Sequence, residues 1–131
     1  MATPESMSLR EAQQDVDRYI SQFREGYWPP LANLARLVEE VGELARHINA
    51  VHGPKKLRGD TCPESDIEDE LGDLLFSVVV LANSLGVSLD SALRNSLDKV
   101  RVRDANRWER VETGRDDERV RGGVSQPDDE A

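Results

Sequence analysis

Hydrophobic positions along the chain recur every three or four residues in four separate segments, the period of amphipathic α-helices rather than strands. In the first, about Leu9 to Phe23, one stripe is formed by Leu9, Ala12, Val16, Tyr19, Ile20 and Phe23, and Ser8 with Glu11 has capping-box spacing. Gly26 is expected to end this segment, and Pro29-Pro30 to make a stiff corner. The second runs from about Leu31 to Val51, with Leu34, Leu37, Val38, Val41, Leu44, Ala45 and Ile48 on one side. A loop from His52 to Pro63, rich in turn residues and basic for its length, separates it from the third, about Asp66 to Leu85. There Val78-Val79-Val80-Leu81-Ala82 is apolar all round, the mark of a central helix covered by the rest of the domain or by a partner subunit. Gly86 stops it, and Ser88 caps a fourth helix that presents Leu89, Ala92, Leu93, Leu97 and Val100 and continues to about Trp108. No segment reads as a convincing strand, so the expected class is all-α. Residues 111–131 have almost nothing to bury and are expected to form a disordered acidic tail, which leaves a single domain over 8–110.

Composition narrows this picture. A chain of 131 residues has room for one hydrophobic core, and with 37% apolar but only 5% aromatic residues that core must lean on Leu, Val and Ala. The formal net charge of −9 argues against nucleic acid as a partner, since binding a phosphate backbone needs a basic surface. A phosphorylated small molecule is still compatible, provided that a cation stands between it and the acids. The single cysteine, Cys62, excludes an internal disulfide and a cysteine-rich zinc site. No apolar run approaches the roughly 20 residues of a membrane span, and the N-terminus lacks the features of a signal peptide. A soluble cytoplasmic protein without a membrane partner is expected.

The carboxylates change the picture most. In the second helix the apolar arc spans roughly 140°, and Glu40 lies just outside it, with Glu43 and Glu39 continuing round. Glu40 and Glu43 are i,i+3 neighbours and repel each other unless something positive lies between them. In the third helix Asp66, Glu70, Asp73 and Ser77 form a stripe roughly 60° wide on an otherwise apolar surface. Carboxylates held there need protonation, a basic partner or a metal. Two pairs of hard oxygen ligands on neighbouring helices suit Mg²⁺ or Mn²⁺. Taken singly, each pair reads as a solvated helix face; the signal for a metal comes from their joint placement, both bordering apolar arcs.

Other constellations are weaker. His47 reads as an edge histidine rather than a ligand, and the Glu-x-x-His pairs of a di-iron bundle are missing. Tyr27 and Trp28 fit either stacking on a base or packing of the corner. Lys55, Lys56 and Arg58 fit either a phosphate-covering loop or a solvated one. Ser77 and Cys62 have no triad partners, and no phosphate-binding glycine loop is present.

Glu39-Glu40-Val-Gly-Glu43, then 26 residues, then Glu70-Leu-Gly-Asp73 resembles the E-E-x-x-E … E-x-x-D signature of the MazG-type nucleoside triphosphate pyrophosphohydrolases. The likeness extends over about Leu9 to Trp108, including Gly26-Tyr-Trp-Pro-Pro-Leu and Arg103-Asp-Ala-Asn-Arg-Trp108. It implies a four-helix, bundle-like MazG fold completed by dimerisation, as a homodimer or homotetramer. It implies Mg²⁺, or Mn²⁺, on Glu40, Glu43, Glu70 and Asp73, with Glu39 as ligand or as the base that orients water. Lys99 and Arg103 match the family's lysine and arginine that contact the triphosphate. Asn95 is a weaker match, because Leu97 stands where the family often has its asparagine. The reaction implied is hydrolysis of a (deoxy)nucleoside triphosphate to monophosphate and pyrophosphate, a house-cleaning of the nucleotide pool. The alternatives are a dUTPase or phosphoribosyl-ATP pyrophosphatase of the same superfamily, or a non-enzymatic acidic helical module that binds a partner protein.

Overall fold

The computed structural model describes residues 5–54 and 64–111. The loop cations Lys55, Lys56 and Arg58 and the tail from residue 112 onward lie outside the described residues, as does Cys62. Four helices follow one another, α1 (Leu9–Ile20), α2 (Pro30–His52), α3 (Glu64–Ser84) and α4 (Leu89–Arg103), and no strand occurs among the described residues. The class is all-α, as the periodicity implies.

Local chemistry sets the helix ends. Ser8 and Glu11 form the expected capping box: the Glu11 backbone N–H donates to Ser8 Oγ at 3.2 Å, and the Ser8 N–H donates back to Glu11 Oε2 at 2.7 Å. That backbone donor holds the Glu11 carboxyl below its ordinary value, with the Ser8 hydroxyl adding to the effect. α1 stops at Ile20, three residues short of Phe23. The chain there tightens into i→i+3 turns, Gln22 N–H to Tyr19 O and Phe23 N–H to Ile20 O, and leaves through Gly26 at φ 61°. Pro30 is the first residue of α2, where a missing N–H costs nothing. α3 ends in a Schellman motif around Gly86 (φ 67°), with Val87 N–H on Ala82 O at 2.9 Å and Gly86 N–H on Asn83 O at 3.2 Å.

The chain divides into two compact units, Met1–Ser96 and Leu97–Ala131, and α4 runs from the first into the second. In the first unit α3 packs against α2 and α1. A polar network ties the ends of these elements together. Gln13 Nε2 donates to Asn83 Oδ1 (2.8 Å) and to Val87 O (2.9 Å), while its Oε1 accepts from Leu89 N–H at the start of α4 (2.9 Å). Asn83 Nδ2 donates to Gln13 O (2.9 Å) and to the Tyr27 hydroxyl (3.0 Å), which itself donates to Asp17 (2.9 Å). Burial, and then the Asp17 acceptor, push the Tyr27 phenol above its ordinary pKa, so it stays a donor at neutral pH. In the second unit the helix gives way after Arg103 to turns, short of Trp108. The Asp104 carboxylate there accepts from Arg103 (2.9 and 3.1 Å) and Arg107 (3.3 Å), and Arg103 holds it below the usual carboxylate range.

The core is small. Val79 and Ala82 are the only apolar residues buried among those described, whereas Leu31, Val38, Val41, Leu71, Leu75 and Phe76 are all exposed. α3 packs on both α2 and α1, yet the described residues leave Leu71, Leu75 and Phe76 of it exposed. No single described helix is long and apolar enough to cross a membrane.

Candidate active site

The inward seam of α2 steps through Asn33, Leu37, Glu40, Leu44 and His47, at alternating intervals of four and three residues. Its three polar members are buried, with Glu40 only 5% exposed. The facing seam of α3 carries Asp66, Glu70, Asp73 and Ser77; Ser77 is buried and Glu70 partly so. Glu40 therefore stands in the middle of an inward face, not at the edge of one. The apolar arc of α2 that holds Leu31, Leu34, Val38, Val41, Ala45 and Ile48 looks outward instead, and every one of those residues is exposed.

This arrangement brings the predicted acids together in two overlapping sets. Glu40, Glu70 and Asp73 offer carboxylate oxygens that all lie within 4.8 Å of one another. Glu43, His47 and Glu70 form a second set by the same measure, so Glu70 belongs to both. Glu39 belongs to neither: it is largely exposed, with Oε2 at 3.4 Å from Arg36 Nη1. Glu43 is also paired at the surface, accepting from Arg46 Nη2 at 3.0 Å. Asn95 is exposed on α4 in the first unit. Lys99 and Arg103 belong to the second unit, Lys99 exposed and Arg103 bonded to Asp104.

Arg36 gave no functional signal in the sequence, whereas His47 reads there as an edge histidine on the Glu40/Glu43 side. His47 is buried rather than at an edge, with Nδ1 at 2.9 Å from Glu43 O and 3.6 Å from Glu70 Oε1. A carbonyl can only accept, so Nδ1 carries the proton and donates it to Glu43 O, with the Glu70 carboxylate nearby but beyond hydrogen-bond distance. Its spacing, seven residues after Glu40 and four after Glu43, puts it on the acids' side of α2, and it is the burial that the sequence did not show. Arg36, four residues before Glu40, puts Nη2 at 2.6 Å from Glu40 Oε1.

The donor set fits a hard divalent cation. Among the described residues no hydrogen bond or ion pair reaches Asp73, which leaves its carboxylate oxygens available as ligands. Oxygen donors converging from two helices are what Mg²⁺ and Mn²⁺ select. Beside the acids lies a cavity of about 340 Å³, lined by Glu40, Asp73, Arg36 and Ser77 together with Tyr27, Trp28 and Phe76. Asn33 fixes the corner that presents the aromatic pair, its Nδ2 donating to Trp28 O at 2.9 Å. A cavity lined by both charged groups and aromatic rings suits a ligand that carries both kinds of partner.

Residues 29–108 match the model of the MazG nucleotide pyrophosphohydrolase domain. Two uncharacterised proteins of Bacillus subtilis (strain 168) are similar in sequence. YpjD is 48% identical over 110 residues, which span 82% of the chain and 96% of YpjD. YvdC is 26% identical over 98 residues, or 68% of the chain and 92% of YvdC. Among solved structures, that of YpjD from Bacillus subtilis, provisionally described as a pyrophosphatase, superposes with a TM-score of 0.66 at 46% identity, covering 72% of the chain and 96% of its own. A Bacillus-conserved MazG protein, described as a nucleotide pyrophosphohydrolase, superposes with a TM-score of 0.63 at 44% identity, covering 72% of the chain and 90% of its own.

Proposed function

Because the chain belongs to the MazG nucleotide pyrophosphohydrolase family, we propose that it hydrolyses (deoxy)nucleoside triphosphates to monophosphate and pyrophosphate with Mg²⁺, clearing the cytoplasmic nucleotide pool. The observation that carries this reading is the convergence of Glu40, Glu70 and Asp73, two of which, Glu40 and Asp73, also line a cavity shared with Tyr27, Trp28 and Phe76. Glu40, Glu70 and Asp73, with Glu43 at the margin beside His47, would hold the cation. When bound, Mg²⁺ (or Mn²⁺) supplies charge neutralisation of phosphate oxygens and acidifies the attacking water. His47, whose Nδ1–H is held by Glu43 O, lies beside Glu70 in the second ligand set. Glu39, exposed on α2, takes or orients the proton of the water. Lys99 and Arg103, with Asn95 as the weaker member, offset charge on the departing pyrophosphate; this rests on the motif at the end of α4. Tyr27, Trp28 and Phe76 give the base an apolar wall.

Incubating the chain with a panel of nucleoside triphosphates, dUTP and phosphoribosyl-ATP in Mg²⁺, then separating the products, tests the proposal. Monophosphate and pyrophosphate in equal amounts are expected, and none in the presence of a chelator. Release of orthophosphate instead would mean attack at a different phosphorus. An acidic module without activity would show no product and no metal-dependent rise in melting temperature.

The functional molecule is proposed to be a homodimer or homotetramer. Leu31, Leu34, Val38, Val41, Ala45 and Ile48 repeat at intervals of three and four on the outward face of α2, the spacing of a helix that packs on another. Leu31 is 78% exposed and Val38 62%, and Leu71, Leu75 and Phe76 of α3 are also open. So much contiguous apolar surface calls for a partner, and a second copy offers the matching stripe. Val41→Arg puts a charge in the middle of that seam and is expected to shift the chain to the monomer mass in sedimentation velocity. An unchanged assembly would place the interface elsewhere.

A further inference from the structure

Arg36 is used by neither the motif nor the mechanism above, yet it makes the shortest ion pair of the acid cluster. Its Nη2 lies 2.6 Å from Glu40 Oε1, and its Nη1 lies 3.4 Å from Glu39 Oε2. The two ends of this contact differ in environment: the Glu40 side chain is 7% exposed and that of Arg36 57%. A buried carboxylate needs a positive partner, and among the described residues Arg36 is the only ion-pair partner that Glu40 has. Glu40 also belongs to the set of oxygens that fits a divalent cation. Guanidinium and cation therefore want the same carboxylate, and like charges this close repel. The Arg36 side chain is free to yield, because it is mostly solvated and its remaining contact, with Glu39, is a surface one. The space next to it is the cavity, which Arg36 itself lines together with Tyr27 and Trp28.

On the reading that this site takes a nucleoside triphosphate, we propose that Arg36 competes with the divalent cation for Glu40 and, once displaced, binds a phosphate oxygen of the nucleotide in the adjoining cavity. A guanidinium is suited to both positions, since its planar fork matches carboxylate and phosphate alike. The exchange couples the two ligands. The cation frees the arginine that the nucleotide needs, and the nucleotide keeps the arginine away from the cation's carboxylate. Each ligand is thereby expected to bind more tightly in the presence of the other.

The test is calorimetric and needs no turnover. Mn²⁺ is titrated into the full chain without nucleotide, and a triphosphate with a methylene bridge between its α and β phosphorus atoms is then titrated at saturating Mn²⁺. Arg36→Gln is expected to tighten Mn²⁺ binding by about threefold or more, because its competitor is gone, and to weaken the nucleotide about tenfold, the loss of one charge-assisted hydrogen-bonding group. A purely structural role for Arg36 would weaken both, and that result overturns the proposal. So does tighter Mn²⁺ with unchanged nucleotide affinity. Arg36→Lys keeps the charge without the fork: nucleotide binding should fall severalfold while Mn²⁺ affinity does not fall, and an unchanged nucleotide affinity again overturns the proposal. Absence of Mn²⁺ binding by the unsubstituted chain would overturn the proposed function itself. Normal Mn²⁺ binding with indifferent Arg36 variants would overturn this inference alone.

Discussion

Replacing Asp73 by Asn is expected to abolish Mg²⁺-dependent release of pyrophosphate while leaving the helices and their stability intact. Of the clustered acids, Asp73 is the one that separates function from structure most cleanly. Glu40 is buried and paired with Arg36, so its loss breaks an ion pair as well as a ligand set. Glu70 faces His47 at 3.6 Å, and Glu43 is tied to Arg46. Asp73 receives no hydrogen bond or ion pair among the described residues. Asn keeps its size and shape, and it removes only the charge and one strong donor oxygen. With no bond lost, stability should stay within about 0.5 kcal/mol of the original, the range of substitutions that touch nothing structural. The effect on catalysis should be much larger. A cation on phosphate oxygens contributes several kcal/mol of transition-state stabilisation, so a badly held one costs about a thousandfold or more in turnover. Steady-state turnover, melting temperature with and without Mg²⁺, and far-ultraviolet circular dichroism together check this. The melting curves of the variant should lose the upward shift that metal gives the original chain. Turnover retained at the original rate would remove Asp73 from the site.

The helices were legible because each carries its own punctuation. Ser8 and Glu11, Pro30, and Gly86 act through local hydrogen bonds and backbone angles, which neighbouring residues decide. The direction in which each helix faces was legible only in part. A hydrophobic stripe marks the side that leaves water but cannot distinguish the interior of one chain from the seam between two. In α2 the outward stripe Leu31 to Ile48 dominates the pattern, and it displaced the apparent interior away from Glu40. The inward seam is half polar, since Asn33, Glu40 and His47 alternate there with Leu37 and Leu44, and a polar interior has no hydropathy signature. The acids Glu40, Glu70 and Asp73 were legible because both pairs border apolar arcs and their ordered set resembles a family signature. Arg36 was passed over, and His47 read as an edge histidine, because single residues of those types are common on any helix. Their meaning comes from what α3 and the cavity bring next to them.

Least legible of all was the network around Asn83, and its removal is expected to cause the largest loss of stability. Asn83, Gln13 and Tyr27 lie far apart in the sequence and follow no common period, so no spacing rule connects them. In the fold they join α1, the corner before α2, the end of α3 and the first N–H of α4. Among the described residues only Val79 and Ala82 are buried as apolar core, which leaves these polar contacts an unusually large share of the work of fixing the elements. Asn83→Ala removes an acceptor for Gln13 and donors to Gln13 O and Tyr27, three contacts of 2.8 to 3.0 Å. Groups left half-satisfied in a partly buried place cost more than the bonds themselves contribute, and about 2–4 kcal/mol is expected for the set. For a domain of this size that corresponds to a fall of roughly 10–20 °C in melting temperature. Tyr27→Phe cuts one branch and should cost about 1 kcal/mol. Asn95→Ala, at an exposed position on α4, should change stability by less than about 0.5 kcal/mol. Thermal melts of the three variants check the order. The loss should also reach the site, because Tyr27 lines the cavity and Asn83 holds its hydroxyl. Nucleotide affinity should therefore weaken more in Tyr27→Phe than its small stability cost explains, and equal melting temperatures for Asn83→Ala and Asn95→Ala would show the network to be dispensable.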